Sequence, residues 1–298
     1  MARERNIPSA EPRGSSSEPA RPILVAVTDS PVADRVVDWA LARAAERRQG
    51  IELISVVGGV LGTVGESDIL ASAIASTRVT LERHAERVSA AGVEVSSRVE
   101  SGNPVSILIE ASEHAALLVI GSDHQGQGSG RPRGAHGIRI AAGAGCPVVV
   151  VPDFDTGDRH GVVVGLDGSE VSEHALRFAA AEADRLREPL IAVSVWTPLH
   201  APRNDLAVYP DLYLTNMQAA TEEIQALALA GLAADYPDLH VERRVERGYP
   251  SHVINDLAAT ARLAVVGTHG RGALARFLLG SISHEVLARL ATVTAVVR

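Results

Sequence analysis

The residues best suited to chemistry stand near the C-terminus. Gly267-Thr268-His269-Gly270 follows the apolar run Leu263-Ala264-Val265-Val266, and Gly280-Ser281 follows Gly270 after nine intervening residues. Glycine lets a backbone approach an anion closely, and successive N–H groups of such a turn form an anion nest. Ser281 and Ser283 fall where a helix would begin, with unpaired N–H groups and the positive end of its dipole. A strand, a glycine turn and a helix start in that order can hold phosphate, which points to a nucleotide. A plain strand-to-helix turn would also use Gly267 and Gly270. Asp167 and Ser281 together favour binding, although Asp167-Gly168-Ser169 is also a good capping string for a following helix.

The elements that must position this block occur twice. Ile23 to Ser30 overlies Val162 to Ser169 at an offset of 139, which also carries Trp39-Ala40 onto Phe178-Ala179. The offset later becomes 146, so that Gly102 and Pro104 fall on Gly248 and Pro250, Gly121 on Gly267, and Gly134 on Gly280. Copies of this length are whole domains rather than solenoid repeats. The expected organisation is a disordered tail over 1–21, one domain over 22–153 and a second over 159–298. Each copy reads as strands alternating with helices. In the second copy strands are expected near 161–167, 190–196, 240–247, 263–267 and 293–297, and helices near 170–186, 212–235, 250–260 and 281–291. That pattern predicts an α/β fold of two tandem, doubly wound, five-stranded parallel sheets. Ligands of such sheets bind at the carboxyl ends of strands where strand order reverses, so Asp167 and Gly267 are expected to share one crevice.

Composition agrees. Hydrophobic residues make up 46% and aromatics only 3%, so the core must be built from Val, Leu, Ile and Ala, as in buried parallel strands. A net charge of −8 speaks against nucleic acid as a partner. No apolar run has the length of a membrane span, the N-terminus lacks the apolar core of a signal peptide, and the single Cys146 cannot form an internal disulfide. A cytoplasmic protein is expected.

The block Gly267, Gly270, Gly280 and Ser281, set in Gly-Thr-His-Gly-Arg-Gly and Leu-Leu-Gly-Ser-Ile-Ser, resembles the nucleotide signature of the universal stress protein family. The resemblance covers nearly everything after residue 21 and is to tandem members of that family, whose fold is of the adenine nucleotide α-hydrolase type. It implies ATP or a related adenine nucleotide in the second domain, with a divalent ion such as Mg2+ assisting. It assigns adenine to Asp167, beside Gly165, and to the backbone near Val195. It assigns phosphates to the loop Gly267, Thr268, His269, Gly270, Arg271, Gly272 and Ala273, and to Gly280, Ser281, Ile282 and Ser283. Arg271 and Arg276 would pair with phosphate or stand as solvated cations. Trp196-Thr197-Pro198 would open a loop overhanging the nucleotide. The implied role is a nucleotide-dependent regulator in stress or dormancy, not an enzyme, with at most slow ATP hydrolysis. Bound ATP would order the loop 268–281 and alter the surface offered to a regulatory protein partner. The rival within the family is a scaffold that binds no nucleotide.

The first copy departs from the pattern. Thr28 and Ala26 stand where the second copy has Asp167 and Gly165, His124 replaces the second signature glycine and Ala135 the serine. The first domain is therefore expected to bind nucleotide weakly or not at all, and its loop 125–133 to be mobile. Other constellations lead elsewhere or nowhere. Asp123, His124 and His136 share a loop, yet none of the eleven histidines shows zinc-site spacing, so no metal site is expected. Ser169 and His174 lack an orienting acid for a triad. A P-loop fails because the chain contains no lysine. Cys146 reads as a small buried residue, and 219–234 as a core-facing helix. The apolar last strands, 147–151 and 293–297, are expected to pair the two domains, and two chains to pair again as a homodimer.

Overall fold

A computed structural model describes residues 21–58, 66–122, 135–198, 211–270 and 279–298. The expected tail apart from Arg21, His124, the loop 125–133, and Arg271, Gly272, Ala273 and Arg276 lie outside the described residues.

The first half runs β1 (Ile23–Ala26), α1 (Val32–Arg47), β2 (Ile51–Val57), α2 (Glu66–Ala90), β3 (Val95–Ser101), α3 (Pro104–Ser112), β4 (Leu117–Gly121), α4 (Ala135–Gly143) and β5 (Val148–Val151). The second runs β6 (Val162–Gly165), α5 (Glu170–Leu186), β7 (Leu190–Trp196), α6 (Asp211–Ala228), α7 (Leu232–Asp235), β8 (Val241–Arg247), α8 (Pro250–Ala258), β9 (Leu263–Gly267), α9 (Ser281–Arg289) and β10 (Val293–Val297). Local chemistry sets the helix ends. The Ser169 hydroxyl accepts the Ser172 amide at 3.2 Å to start α5, with Glu170 and Glu173 in the first turn, where carboxylates complement the dipole. Asn103 caps α3 ahead of Pro104 in the same way. The α1 and α5 helices both stop on an arginine in the left-handed region, Arg48 at φ 53° and Arg187 at φ 54°. Those two residues are repeat equivalents, so the copies share even an uncommon backbone turn.

One expected element needs correction. The helix expected over 212–235 ends at Ala228 and resumes as α7, because Gly231 turns the chain at φ 89°. Its outer face is not core: Leu227 is 70% exposed, while Gln225 is buried and donates to the Ala192 and Arg244 carbonyls.

The strands form one ten-stranded sheet, in the order β3-β2-β1-β4-β5-β10-β9-β6-β7-β8. All neighbours are parallel except the central pair, β5 and β10, which run antiparallel with Ala295 opposite Val149. Two five-stranded parallel halves are thus fused about a local twofold. The helices cover both faces. One continuous apolar layer joins Val25, Val149, Ala295 and Val164 under α1 and α5. The other joins Leu24, Val148, Val296 and Val266 with residues of α3, α4, α8 and α9. The outer strands β3 and β8 carry mostly polar and charged residues (VSSRVES and VERRVER), which blunts a sheet edge against further pairing. Cys146 is buried, and burial pushes its thiol up to about 11. No helix among the described residues is long and apolar enough to cross a membrane.

A buried histidine ties stability to pH. His84 of α2 is 1% exposed; the Arg83 guanidinium donates to its Nε2 at 3.2 Å. That contact requires a neutral ring with its proton on Nδ1. Burial, then the charges of Arg83 and Arg87, hold its pKa below the usual histidine value. The unfolded chain then binds the proton more readily than the folded one, so stability is full above about pH 6.5 and is lost as pH falls through that value. Melting temperature is expected to drop between pH 7.5 and 5.5, and His84→Gln is expected to reduce that drop. An equal drop in both proteins would contradict the assignment.

Candidate functional site

Strand order reverses at β6, which lies between β7 and β9. The chain therefore leaves β6 and β9 in different directions and opens a crevice at their carboxyl ends. A cavity of about 800 Å³ occupies it. Of the residues anticipated from sequence, Gly165, Asp167, Val195, Gly267, His269, Gly270, Gly280, Ser281, Ile282 and Ser283 line it. Thr268 does not: it is buried behind the wall, where its amide donates to the Val297 carbonyl and its carbonyl accepts the Gly280 amide.

The glycines have different tasks. A Cβ on Gly267 would come within 2.8 Å of Val171 Cγ1. In the first half a Cβ on Gly121 would strike Val32 Cγ1, the same position of the repeat. This glycine lets a helix pack against the strand end, a need common to both copies. Gly270 is different, because a Cβ there would lie 2.5 Å from Asp167 Oδ2. Only glycine brings that backbone so close to that carboxylate. Asp167 Oδ1 meanwhile accepts the Ser169 amide at 3.0 Å and the Ser169 hydroxyl at 2.6 Å, so Asp167 also shapes the entry to α5.

Against the same turn, α9 begins at Ser281 behind Gly280, whose lack of a side chain leaves the helix start with no side-chain cap. The first intrahelical bond is the His284 amide to the Gly280 carbonyl, so the amides of Ser281, Ile282 and Ser283 have no partner within the helix. The Ser283 hydroxyl donates to the Gly267 carbonyl at 2.5 Å and pins the turn to the helix. Two buried atoms beside this turn, Thr268 Oγ1 and His269 Nε2, have no hydrogen-bond partner among the described residues. Desolvation, then the charge of Arg298, lowers the His269 pKa, so the ring is neutral at pH 7 and offers hydrogen bonds rather than charge. A carboxylate, a glycine turn and an amide-rich helix start thus line one cavity, together with apolar side chains.

Sequence reasoning missed most of that wall. Met217, Ala220, Thr221 and Ile224 of α6 line it, together with Val193, Ser194, Trp196, Thr197, Pro250 and Ile254. The α6 residues recur at i, i+3, i+4 and i+7, one helix face, and that spacing could have identified them. Trp196 is held by its Nε1 donating to Gln218 Oε1 at 2.7 Å, and Thr197 by its hydroxyl donating to the Gly248 carbonyl at 2.6 Å. In the first half, Thr28 Oγ1 lies 2.8 Å from Ser30 Oγ. Thr28 thus keeps the turn-forming contact of its counterpart Asp167 but not the carboxylate. Gly137 stands where the second half has Ser283, so the hydroxyl that pins the turn is also absent from that position.

The two kinds of glycine can be separated. Gly121→Ala and Gly267→Ala are each expected to cost about 1–3 kcal/mol through overpacking against a stiff valine. Gly270→Ala should cost much less, since the Asp167 side chain can rotate away. Denaturant unfolding of the three variants checks this. Equal losses for all three would contradict the division of roles.

Comparison with known proteins places this geometry. The sequence profile of the Universal stress protein family matches residues 19–152 and again 159–298. Universal stress protein Rv2623 of Mycobacterium tuberculosis is 31% identical over 297 residues, covering 95% of this chain and 98% of that protein. A universal stress protein of Mycolicibacterium smegmatis is 32% identical over 291 residues, covering 93% and 96%. Among solved structures, a universal stress protein from Archaeoglobus fulgidus superposes with a TM-score of 0.68 at 19% identity, covering 93% of this chain and 98% of that one, and shares the fold. With the family profile matched twice and the tandem fold reproduced end to end, this chain belongs to the universal stress protein family.

Proposed function

We propose that the second half, 159–298, binds one adenine nucleotide, ATP, and that the protein acts as a nucleotide-dependent regulator in stress or dormancy. The observation that carries this reading is the close approach of Gly270 to Asp167 Oδ2 in the wall of a cavity that the uncapped start of α9 also lines. The base would lie between Asp167, the Val195 backbone and the apolar α6 face. The phosphates would take the amides of Ser281 to Ser283 beside Gly280, where the helix dipole favours negative charge, and the loop containing Arg271, Gly272 and Ala273. A divalent ion such as Mg2+ would supply further charge neutralisation at the phosphates. The buried His269 Nε2, without a hydrogen-bond partner among the described residues, gives the site unused polar capacity.

The nucleotide is held rather than turned over. Asp167 is the only carboxylate among the described lining residues, and it sits at the base end, engaged by Ser169. ATP hydrolysis, if present, is slow. Signal would leave the site as a shift in population between nucleotide-bound and free surfaces, read by a regulatory protein. Two chains would pair as a homodimer in the cytoplasm.

Titration calorimetry with ATP and Mg2+ tests the site. Asp167→Ala and Gly270→Val are each expected to weaken binding on the order of tenfold or more, about 1.4 kcal/mol per decade. Thr28→Ala, the corresponding change in the first half, is expected to leave binding unchanged. Wild-type affinity in both second-half variants would refute the assigned site. No binding by the unaltered protein would favour the scaffold reading.

A further inference from the structure

The seam between the halves carries an exchanged set of charges. On the α1/α5 side of the sheet, Arg43 Nε donates to Glu182 Oε1 at 2.9 Å, and Arg47 approaches the same oxygen at 3.5 Å. Arg185 holds the other oxygen, Oε2, at 2.9 Å and reaches Glu46 Oε2 at 3.1 Å. Glu182 is 0% exposed, and Arg43 8%. The Arg43 guanidinium also lies 5.9 Å from the centre of the Phe178 ring. Arg43 and Glu182 are separated by 139 residues, and so are Glu46 and Arg185. That is the offset of the repeat itself, so each pair joins two equivalent positions across the local twofold.

Positions beside a twofold axis face their own equivalents, and the two contacts at the repeat offset put these positions there. Pairing a first half with another first half would therefore set Arg43 against Arg43, with Arg47 of both copies close by. Pairing a second half with another second half would set two buried Glu182 carboxylates against each other, each left with Arg185 alone. Only first half with second half puts opposite charges at both positions. An uncompensated buried charge is among the strongest penalties an interface can carry.

We propose that Arg43, Glu46, Glu182 and Arg185 are a pairing key that directs the first half onto the second at the β5–β10 seam and rejects a second copy of the same half. A chain that used this seam with another chain could do so only by reciprocal exchange, first half to second half in both directions. Any other assembly must use a different surface.

The full-length protein can be made to imitate the rejected pairings. Arg43→Glu with Glu46→Arg gives the first half the charges of the second. Glu182→Arg with Arg185→Glu does the reverse. Both changes preserve net charge. Each half exchange is expected to lower the melting temperature by roughly 5–10 °C. The quadruple exchange restores opposite charges and is expected to recover more than half of that loss. Failure of a half exchange to fold counts as the same result provided the quadruple variant folds. A quadruple variant no more stable than the half exchanges, or half exchanges as stable as the unaltered protein, would overturn the proposal.

Discussion

The antiparallel pairing of β5 with β10 is the contact on which the rest depends. Each parallel half would otherwise end in an apolar strand with a free edge, VVVV in β5 and VTAVV in β10. An open edge of that kind invites association. Pairing them closes both edges, makes both apolar layers continuous and leaves only the charged outer strands exposed. It also reaches the candidate site. The Val297 carbonyl at the end of β10 accepts the Thr268 amide, and the Arg298 carbonyl accepts from His174 Nδ1 of α5 at 2.8 Å. The Arg298 guanidinium donates across the seam to the Ala142 carbonyl of α4. The strand that joins the halves thus fixes one wall of the turn proposed to hold phosphate.

A repeat lets one copy report on the other. Both halves keep a glycine at the end of the fourth strand, because in both a valine of the first helix occupies the space a Cβ would need. That glycine is a requirement of the fold. The residues that differ between copies, Asp167 against Thr28, Gly270 against His124 and Ser283 against Gly137, are the ones the folded second half arranges about its cavity. The same logic applies at the seam, where Arg43 and Glu182 differ because they must meet. Divergence within the repeat therefore marks two sites: one proposed for a ligand, and one for the partner half.

Much of this was legible in the sequence. The strands read at 190–196, 263–267 and 293–297 coincide with β7, β9 and β10, since buried parallel strands are short unbroken apolar runs. The rule that ligands bind at strand ends where strand order reverses put Asp167 and Gly267 in one crevice, and both line the cavity. The break at Gly231 was hidden in an Ala/Leu-rich stretch whose propensity favours continued helix. The α6 wall was hidden because Met217, Ala220, Thr221 and Ile224 show the spacing of any amphipathic helix, and spacing does not say what the face covers. The separate roles of Gly267 and Gly270 depend on which side chain approaches each from another element. The charge exchange at the seam was present in the aligned copies, but it has meaning only once the twofold shows that those positions touch.

The central claim is one competent site in a chain that carries the motif twice. Counting nucleotides answers it most directly: native mass spectrometry of the full-length protein with saturating ATP and Mg2+, read as bound nucleotides per chain. The account predicts one, which needs more ATP to fill in Asp167→Ala. Two per chain, or one that fills as readily after that substitution, would contradict it.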